Sequence, residues 1–366
     1  MANILVTGGA GFIGANFVHY WRARHPADGI VVLDALTYAG NPANLAGLTA
    51  QGEVSFIHGD VCDEELVAKL LAAHQFEKIV HFAAESHVDR SITSPDDFIR
   101  TNVQGTHVLL KAALLHWKNR SDSCRFHHVS TDEVYGSLLP EDAPSTESSR
   151  YDPRSPYAAS KAASDFLVRA YAHTYGLPVT ISNCSNNYGP FQFPEKVVPL
   201  MILHALTGRP MPVYGDGKNV RDWIHVEDHC ALLSAVIDRG MLGETYNIGG
   251  NNQTSNNDLV ELLCDLVDRR VKSDRAVAER FPDCPAADGG SSRDLIVYVK
   301  DRPGHDRRYA LDTRKISREF DAPALRPLRD GLSATLEWYL ANEPWWRAIQ
   351  SGEYRNWISQ QYGIAV

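Results

Sequence analysis

The sequence has little of what membranes, disulfide frameworks or nucleic acids require. No apolar run reaches the ~20 residues a membrane-spanning helix needs. The opening MANILVTGG lacks the basic stretch of a secretory signal and enters a strand pattern at once. The six cysteines (Cys62, Cys124, Cys184, Cys230, Cys264 and Cys284) include no CxxC pair, which fits reduced thiols in a cytoplasmic protein better than a disulfide frame or zinc site. Fifteen histidines occur without HExxH or similar ligand spacing, so no metal site is expected. Basic charge is also short: 36 Lys and Arg stand against 45 Asp and Glu, a net charge of -9 that argues against a broad nucleic-acid face. A local basic pocket for a small anion stays open. There is no internal repeat and no low-complexity tract.

What is present suits a two-lobed soluble protein. The 366 residues are 44% hydrophobic and 22% charged, enough for more than one core. In the first half, apolar runs at Asn3–Thr7, Ile30–Asp34, Val54–His58, Lys78–Phe82 and Arg125–Thr131 alternate with helical patterns at Gly11–His25, Asp63–Ala73 and Asp96–Trp117. A long helix is expected over Pro156–Tyr175, then a strand over Pro178–Cys184. Continuous apolar strands separated by helices predict an α/β fold with a doubly wound parallel sheet. From Asn186 the texture changes to Gly, Pro and aromatic punctuation, with helices at Asn257–Arg269 and Leu328–Glu343. The expected division is 1–185 as the first domain and 186–366 as a smaller, interleaved α/β lobe, some of whose segments return to the first. DCPAADGGSSR marks Arg270–Arg293 as a mobile surface loop.

TGGAGFIG, residues 7–14, follows the first strand and opens the first helix. Gly8, Gly11 and Gly14 allow a tight turn, close approach to a pyrophosphate, and a helix packed hard on the sheet. A plain tight turn would look similar. Asp34, twenty residues beyond Gly14 at the end of the second strand, adds the carboxylate that binds adenosine ribose hydroxyls and repels a 2′-phosphate. The expected fold is therefore Rossmann-type, with NAD favoured over NADP. Asp60 and Val61 in GDV border the expected adenine site, although Asp60 also fits a helix cap.

YAASK places Tyr157 and Lys161 at i and i+4 on one helical face. A free tyrosine titrates near pH ~10, so a base at this position needs a lysine ammonium and an oxidised nicotinamide to stabilise the phenolate. HHVSTDEVYG ends an apolar strand on Thr131 and then sets Asp132 beside Glu133. Adjacent carboxylates repel, so a buried pair separates into one protonated and one ionised group, the arrangement acid–base chemistry needs. A capping or loop pair is the plainer reading.

Together these motifs resemble the extended short-chain dehydrogenase/reductase superfamily. TGGAGFIG, HFAAESHVDRSI, STDEVYG, SPYAASK, NCSNNYGPFQFPEK, RDWIHVEDH, ETYNIGG and DRPGHDRRYALD narrow the resemblance to the dTDP-glucose 4,6-dehydratase family, in order over nearly the whole chain. The resemblance implies a lyase of deoxysugar biosynthesis that retains and regenerates NAD. In it Tyr157 accepts the C4 hydroxyl proton, Thr131 bonds that oxygen, Glu133 removes the C5 proton and Asp132 protonates the leaving C6 hydroxyl. It adds Phe12, Ile13, Thr37, Ala83, Ala84 and Thr101 to the cofactor side, with Lys161 reaching ribose hydroxyls. On the substrate side it implies Ser86, Asn186, Lys196, Val197, Pro212, Tyr214, Arg221, Asn256, Arg302 and His305. A homodimer formed through a four-helix bundle is also implied, with the Asp96–Trp117 and Pro156–Tyr175 helices at its interface.

The acid pair separates the alternatives. A nucleotide-sugar 4-epimerase needs Tyr157, Lys161 and Thr131 but not Asp132-Glu133. A UDP-glucuronate decarboxylase leaves Asp132 unexplained, and an NAD-binding sensor or scaffold needs none of the five. Dehydratases of CDP-glucose or GDP-mannose remain open by sequence.

Overall fold

The computed structural model describes residues 2–118, 124–301, 303–320 and 324–351. The expected first-half strands form as β1 (Asn3–Thr7), β2 (Gly29–Asp34), β3 (Val54–His58), β4 (Lys78–His81), β5 (Arg125–Thr131) and β6 (Val179–Cys184). The second half adds β7 (Asn186–Tyr188), β8 (Met211–Tyr214), β9 (Val220–His225), β10 (Thr245–Ile248), β11 (Gln253–Ser255) and β12 (Ile296–Val299). Seven strands form one parallel sheet in the order β10-β6-β5-β4-β1-β2-β3. This is a Rossmann-type α/β fold. Its winding reverses between β1 and β4, opening a crevice at the carboxyl ends of the strands, where ligands of such sheets sit.

Alternation along each strand feeds two cores. Ile4, Val6 and Val32 face the Phe12–Arg24 and Val226–Arg239 helices. Leu5, Leu33 and Ile79 face the Glu64–His74 and Thr106–Trp117 helices. β10 and the Arg314–Phe320 helix come from the second half, yet Tyr246, Ile248 and Ile316 complete the first of these cores. A separate core built on Met201, Trp223, Leu259, Leu336 and Trp346 holds the smaller lobe together. That lobe carries the β11-β9-β7 and β12-β8 sheets.

Arg270–Arg293 corrects the loop expectation. The helix Asn256–Ser273 is followed by a second helix, Arg275–Arg280, and by single turns at Pro285–Asp288 and Ser292–Leu295. Asp274 caps the second helix by accepting from Ala276 N–H at 2.9 Å. Asp268 accepts from the Ser291 and Ser292 hydroxyls at 2.8 and 2.6 Å. Val277, Phe281, Cys284 and Ala286 are buried in the small-lobe core. The Gly, Pro and Ser density reads as a loop, but an apolar anchor in each short turn pins the segment down.

The helix expected over Asp96–Trp117 opens at Pro95–Phe98, becomes π-helical over Ile99–Gly105 and continues as Thr106–Trp117. Buried Asn102 lies in the π-helical stretch. Its amide bonds both backbone groups of Glu85, at 2.8 and 3.0 Å, and the Ser160 hydroxyl at 2.8 Å. The widened turn thus ties the loop after β4 to the helix that carries Tyr157.

Candidate active site

Every residue expected on the cofactor side lines one cleft at the crevice: Gly8, Gly11, Phe12, Ile13, Gly14, Asp34, Thr37, Asp60, Val61, Ala83, Ala84, Thr101, Tyr157 and Lys161. Gly8 has φ +70°, and a Cβ there would meet Ala83 N at 2.6 Å. A Cβ on Gly14 would stand 2.2 Å from Gly8 O, so the first helix can seat on the turn only through glycine. Gly11 begins the Phe12–Arg24 helix without a side-chain cap, whereas Ser155 and Asp63 cap theirs. Its first-turn N–H groups can therefore meet a phosphate. Asp34 is buried at the cleft wall, where its two oxygens accept from Ala10 N–H at 2.9 Å and Leu36 N–H at 2.8 Å. Each oxygen retains acceptor capacity for a ribose hydroxyl. Burial pushes this carboxyl up, and the two backbone donors oppose the shift. The donor set fits NAD.

The reactive groups arrive on two elements. Ser155 accepts from Ala158 N–H at 3.0 Å and, with Pro156, starts the Pro156–Tyr175 helix. Tyr157 lies in its first turn with its ring edge against Phe98, and Lys161 follows one turn later. Lys161 is buried and its Nζ donates to Val129 O at 2.8 Å. β5 brings up Thr131, which caps the single turn Asp132–Tyr135 by accepting from Glu133 N–H at 3.3 Å. The threonine is thus the cap, and the acids are left for other work.

Asp132 is 4% exposed, and its Oδ2 has no hydrogen-bond partner among the described residues. Its Oδ1 accepts from the Thr131 hydroxyl at 3.3 Å. Burial, then the charges of Glu133 and Asp222, push its carboxyl well above the ordinary range, with Arg221 and Thr131 opposing. Half-buried Glu133 keeps access to the cleft. The charge of Glu133 is thus one of the influences that favour the neutral form of Asp132. Among the chain's own groups, burial and then Glu133 push the Tyr157 phenol well up, and a hydrogen bond with Thr131 opposes them. The chain's own groups favour the phenol, so a cationic ring is needed to release its proton.

Among the substrate-side residues, Ser86, Thr131, Asn186 and Lys196 line the same cleft. Val197, Pro212, Tyr214, Arg221, Asn256 and His305 do not line it. Arg302 lies outside the described residues. Arg221 on β9 is buried, donates to Asp306 O at 2.9 Å and stacks over Tyr309 at 4.5 Å. His305 lies beside Tyr214 and 2.6 Å from Asp301. Asn256 follows Ser255 at a helix start. The charge of Arg221 acts on Asp132, linking this group to the cleft.

The cleft also contains residues the sequence reading passed over, among them Tyr38, Glu85, Arg100, Cys184, Asn187, Gln192 and Phe193. Several sit inside quoted motifs, Glu85 in AESHVDRS and Gln192 and Phe193 in NNYGPFQF. Only the winding of the loops brings them to the cleft.

Fold and site together define a nucleotide-sugar dehydratase of the short-chain dehydrogenase/reductase type. Residues 5–326 match the family model described as GDP-mannose 4,6 dehydratase. The chain is 49% identical to a dTDP-glucose 4,6-dehydratase of Shigella flexneri over 98% of both chains. A dTDP-glucose 4,6-dehydratase of Streptomyces venezuelae, solved with NAD and dTDP bound, superposes with a TM-score of 0.84 at 46% identity, covering 95% of this chain and 99% of that one. One from Bacillus anthracis in complex with NAD gives 0.82 at 42% identity, covering 95% and 100%. The chain belongs to the dTDP-glucose 4,6-dehydratase family.

Proposed function

We infer that the protein converts dTDP-glucose to dTDP-4-keto-6-deoxyglucose and water; the observation that carries this reading is Asp132, buried beside Glu133 at the cleft with its Oδ2 unpartnered among the described residues and its carboxyl pushed up. Bound NAD supplies the hydride acceptor at C4 and the donor that returns hydride to C6, and its oxidised ring carries the positive charge that offsets the burial of the Tyr157 phenol. Tyr157 takes the proton of the C4 hydroxyl, and Thr131 hydrogen-bonds the same oxygen. Lys161 holds positive charge beneath the site. The C4 ketone acidifies the C5 proton, which Glu133 removes. Asp132 donates its proton to the departing C6 hydroxyl, water leaves, and return of hydride to C6 is balanced by reprotonation of C5. An epimerase would have no step for a protonated Asp132.

In this reading residues 1–185 hold the cofactor and 186–366 the sugar nucleotide. Lys196 and Arg221 supply charge for the diphosphate. The protein works as a cytoplasmic homodimer: Ile99, Leu115, Phe166 and Tyr175 expose apolar side chains on the π-helical and helical segments Ile99–Trp117 and Pro156–Tyr175. Pairing these across a two-fold axis into a four-helix bundle would cover them. The six cysteines are free, consistent with a reducing compartment.

The test is to offer dTDP-, UDP-, CDP- and GDP-hexoses separately and follow water loss by mass spectrometry. Dehydration of dTDP-glucose is expected to be the fastest. If another nucleotide sugar is dehydrated and dTDP-glucose is untouched, the substrate assignment fails.

A further inference from the structure

Asp165 stands one helical turn beyond Lys161, two turns beyond Tyr157, and is fully buried behind the cleft. Its Oδ2 accepts from the Ser130 hydroxyl at 2.9 Å and from the Tyr151 hydroxyl at 2.8 Å. Its Oδ1 lies 3.2 Å from His128 Nε2. These contacts come from β5 and from the segment between β5 and the helix. Asp165 does not line the cleft.

A carboxylate this deep needs a compensating charge. His128 does not supply it, because burial, with Lys161 adding, pushes its imidazole down to about 4. Two cations lie on the same helix. Lys161 is one turn before Asp165, and Arg169, one turn after, bonds the Tyr151 hydroxyl at 2.9 Å rather than the carboxylate. Lys161 has the reciprocal need: it is buried, and its ammonium donates to a neutral carbonyl, Val129 O.

We propose that Asp165 is a positioning residue for the reaction, the buried counter-charge that keeps Lys161 an ammonium beneath the nicotinamide and Tyr157. This rests on the role of Lys161 in the proposed function. Burial pulls the Lys161 ammonium down, and Asp165 is the largest opposing influence, with Cys184 on β6 next. The other groups facing the pair are His128 on β5, His81 on β4, Tyr135, Tyr151 and Arg169. His81 and His128 are both pushed down by burial and stay neutral near pH 7. Burial likewise pushes both tyrosines up, leaving them neutral. Arg169 is held by Tyr151 and the Thr245 hydroxyl. Ser130 and Tyr151 fix the carboxylate in place one helical turn from the lysine.

Two measurements test this. In Asp165→Asn, the basic limb of the kcat/KM profile should move to lower pH by about one unit or more, because Lys161 gives up its proton more readily. An unmoved limb with lowered kcat would leave Asp165 a packing residue and overturn the proposal. Stability supplies the second test, independent of turnover. Lys161→Met and Asp165→Asn should each lower Tm, and the double variant should lose less than the sum. If Asp165→Asn alone does not fold, recovery of a folded protein on adding Lys161→Met supports the pairing, and failure to recover opposes it. Additive losses also oppose it. Wild-type protein that dehydrates no nucleotide sugar would sink the proposed function while leaving the stability cycle to decide the pair.

Discussion

Buried Asp132 and half-buried Glu133, neighbours in sequence, both border the cleft. One turn of backbone, capped by Thr131, sets the two carboxyls side by side, and burial and then the charge of Glu133 push that of Asp132 well up. Asp132→Asn cannot release a proton to the C6 oxygen. Elimination should slow by about 10²–10⁴-fold, the usual worth of a general acid, while C4 oxidation is much less affected. Reduced nicotinamide should then accumulate visibly in single-turnover absorbance. Equal loss of both steps would show that Asp132 merely holds the site together.

The same carboxyl makes stability depend on pH. Its pKa is raised in the folded protein, so the folded state binds a proton that the unfolded chain has released above about pH 4. Its stabilising effect is full below that pH and is lost as pH rises through the folded value. Asp132→Asn should therefore gain Tm relative to wild type at neutral pH, by a few degrees, with the gain shrinking toward pH 4. Calorimetry across that range checks both sign and trend.

Gly14→Ala puts a Cβ 2.2 Å from Gly8 O, a backbone atom that cannot step aside. The turn must open, and NAD affinity should fall by at least tenfold, about 1.4 kcal/mol or more. Cofactor retained through gel filtration, measured after denaturation, reads this directly.

Asp34→Asn keeps the acceptor toward Ala10 or Leu36 but removes the charge. Discrimination against NADP should drop by roughly tenfold or more, because the repulsion of a 2′-phosphate is lost. Competition binding of NAD and NADP tests it. Unchanged discrimination would mean that sterics, not charge, select the cofactor.

Phe166 is 56% exposed on the Pro156–Tyr175 helix. If the proposed dimer forms, Phe166→Asp should move it toward monomer in sedimentation at micromolar concentration. A monomeric wild type would refute the proposed bundle.

Local chemistry made much of this legible in the sequence. The strand periodicity of the first half, the glycine turn with Asp34, and the i, i+4 pair Tyr157 and Lys161 each arise within a few residues, where sequence spacing equals spatial spacing. The Arg270–Arg293 segment was misread because its anchors, Phe281 and Cys284, are separated by loop-like residues and meet a core built elsewhere in the chain. Glu85 and Asn102 were missed for a related reason. Neither carries a motif of its own, and their bonds join segments 17 residues apart through a π-helical turn.

The sequence alone determined which groups are available: a turn that only glycine can make, a carboxylate for ribose, a tyrosine–lysine face and two adjacent acids. Tertiary structure decided their charge states and alliances. Packing pushed the Asp132 carboxyl up, brought Arg221 from β9 to bear on it, and enclosed Asp165 one helical turn beyond Lys161. Those outcomes depend on desolvation and on charges from distant parts of the chain, and neither exists until the sheet and the smaller lobe have packed.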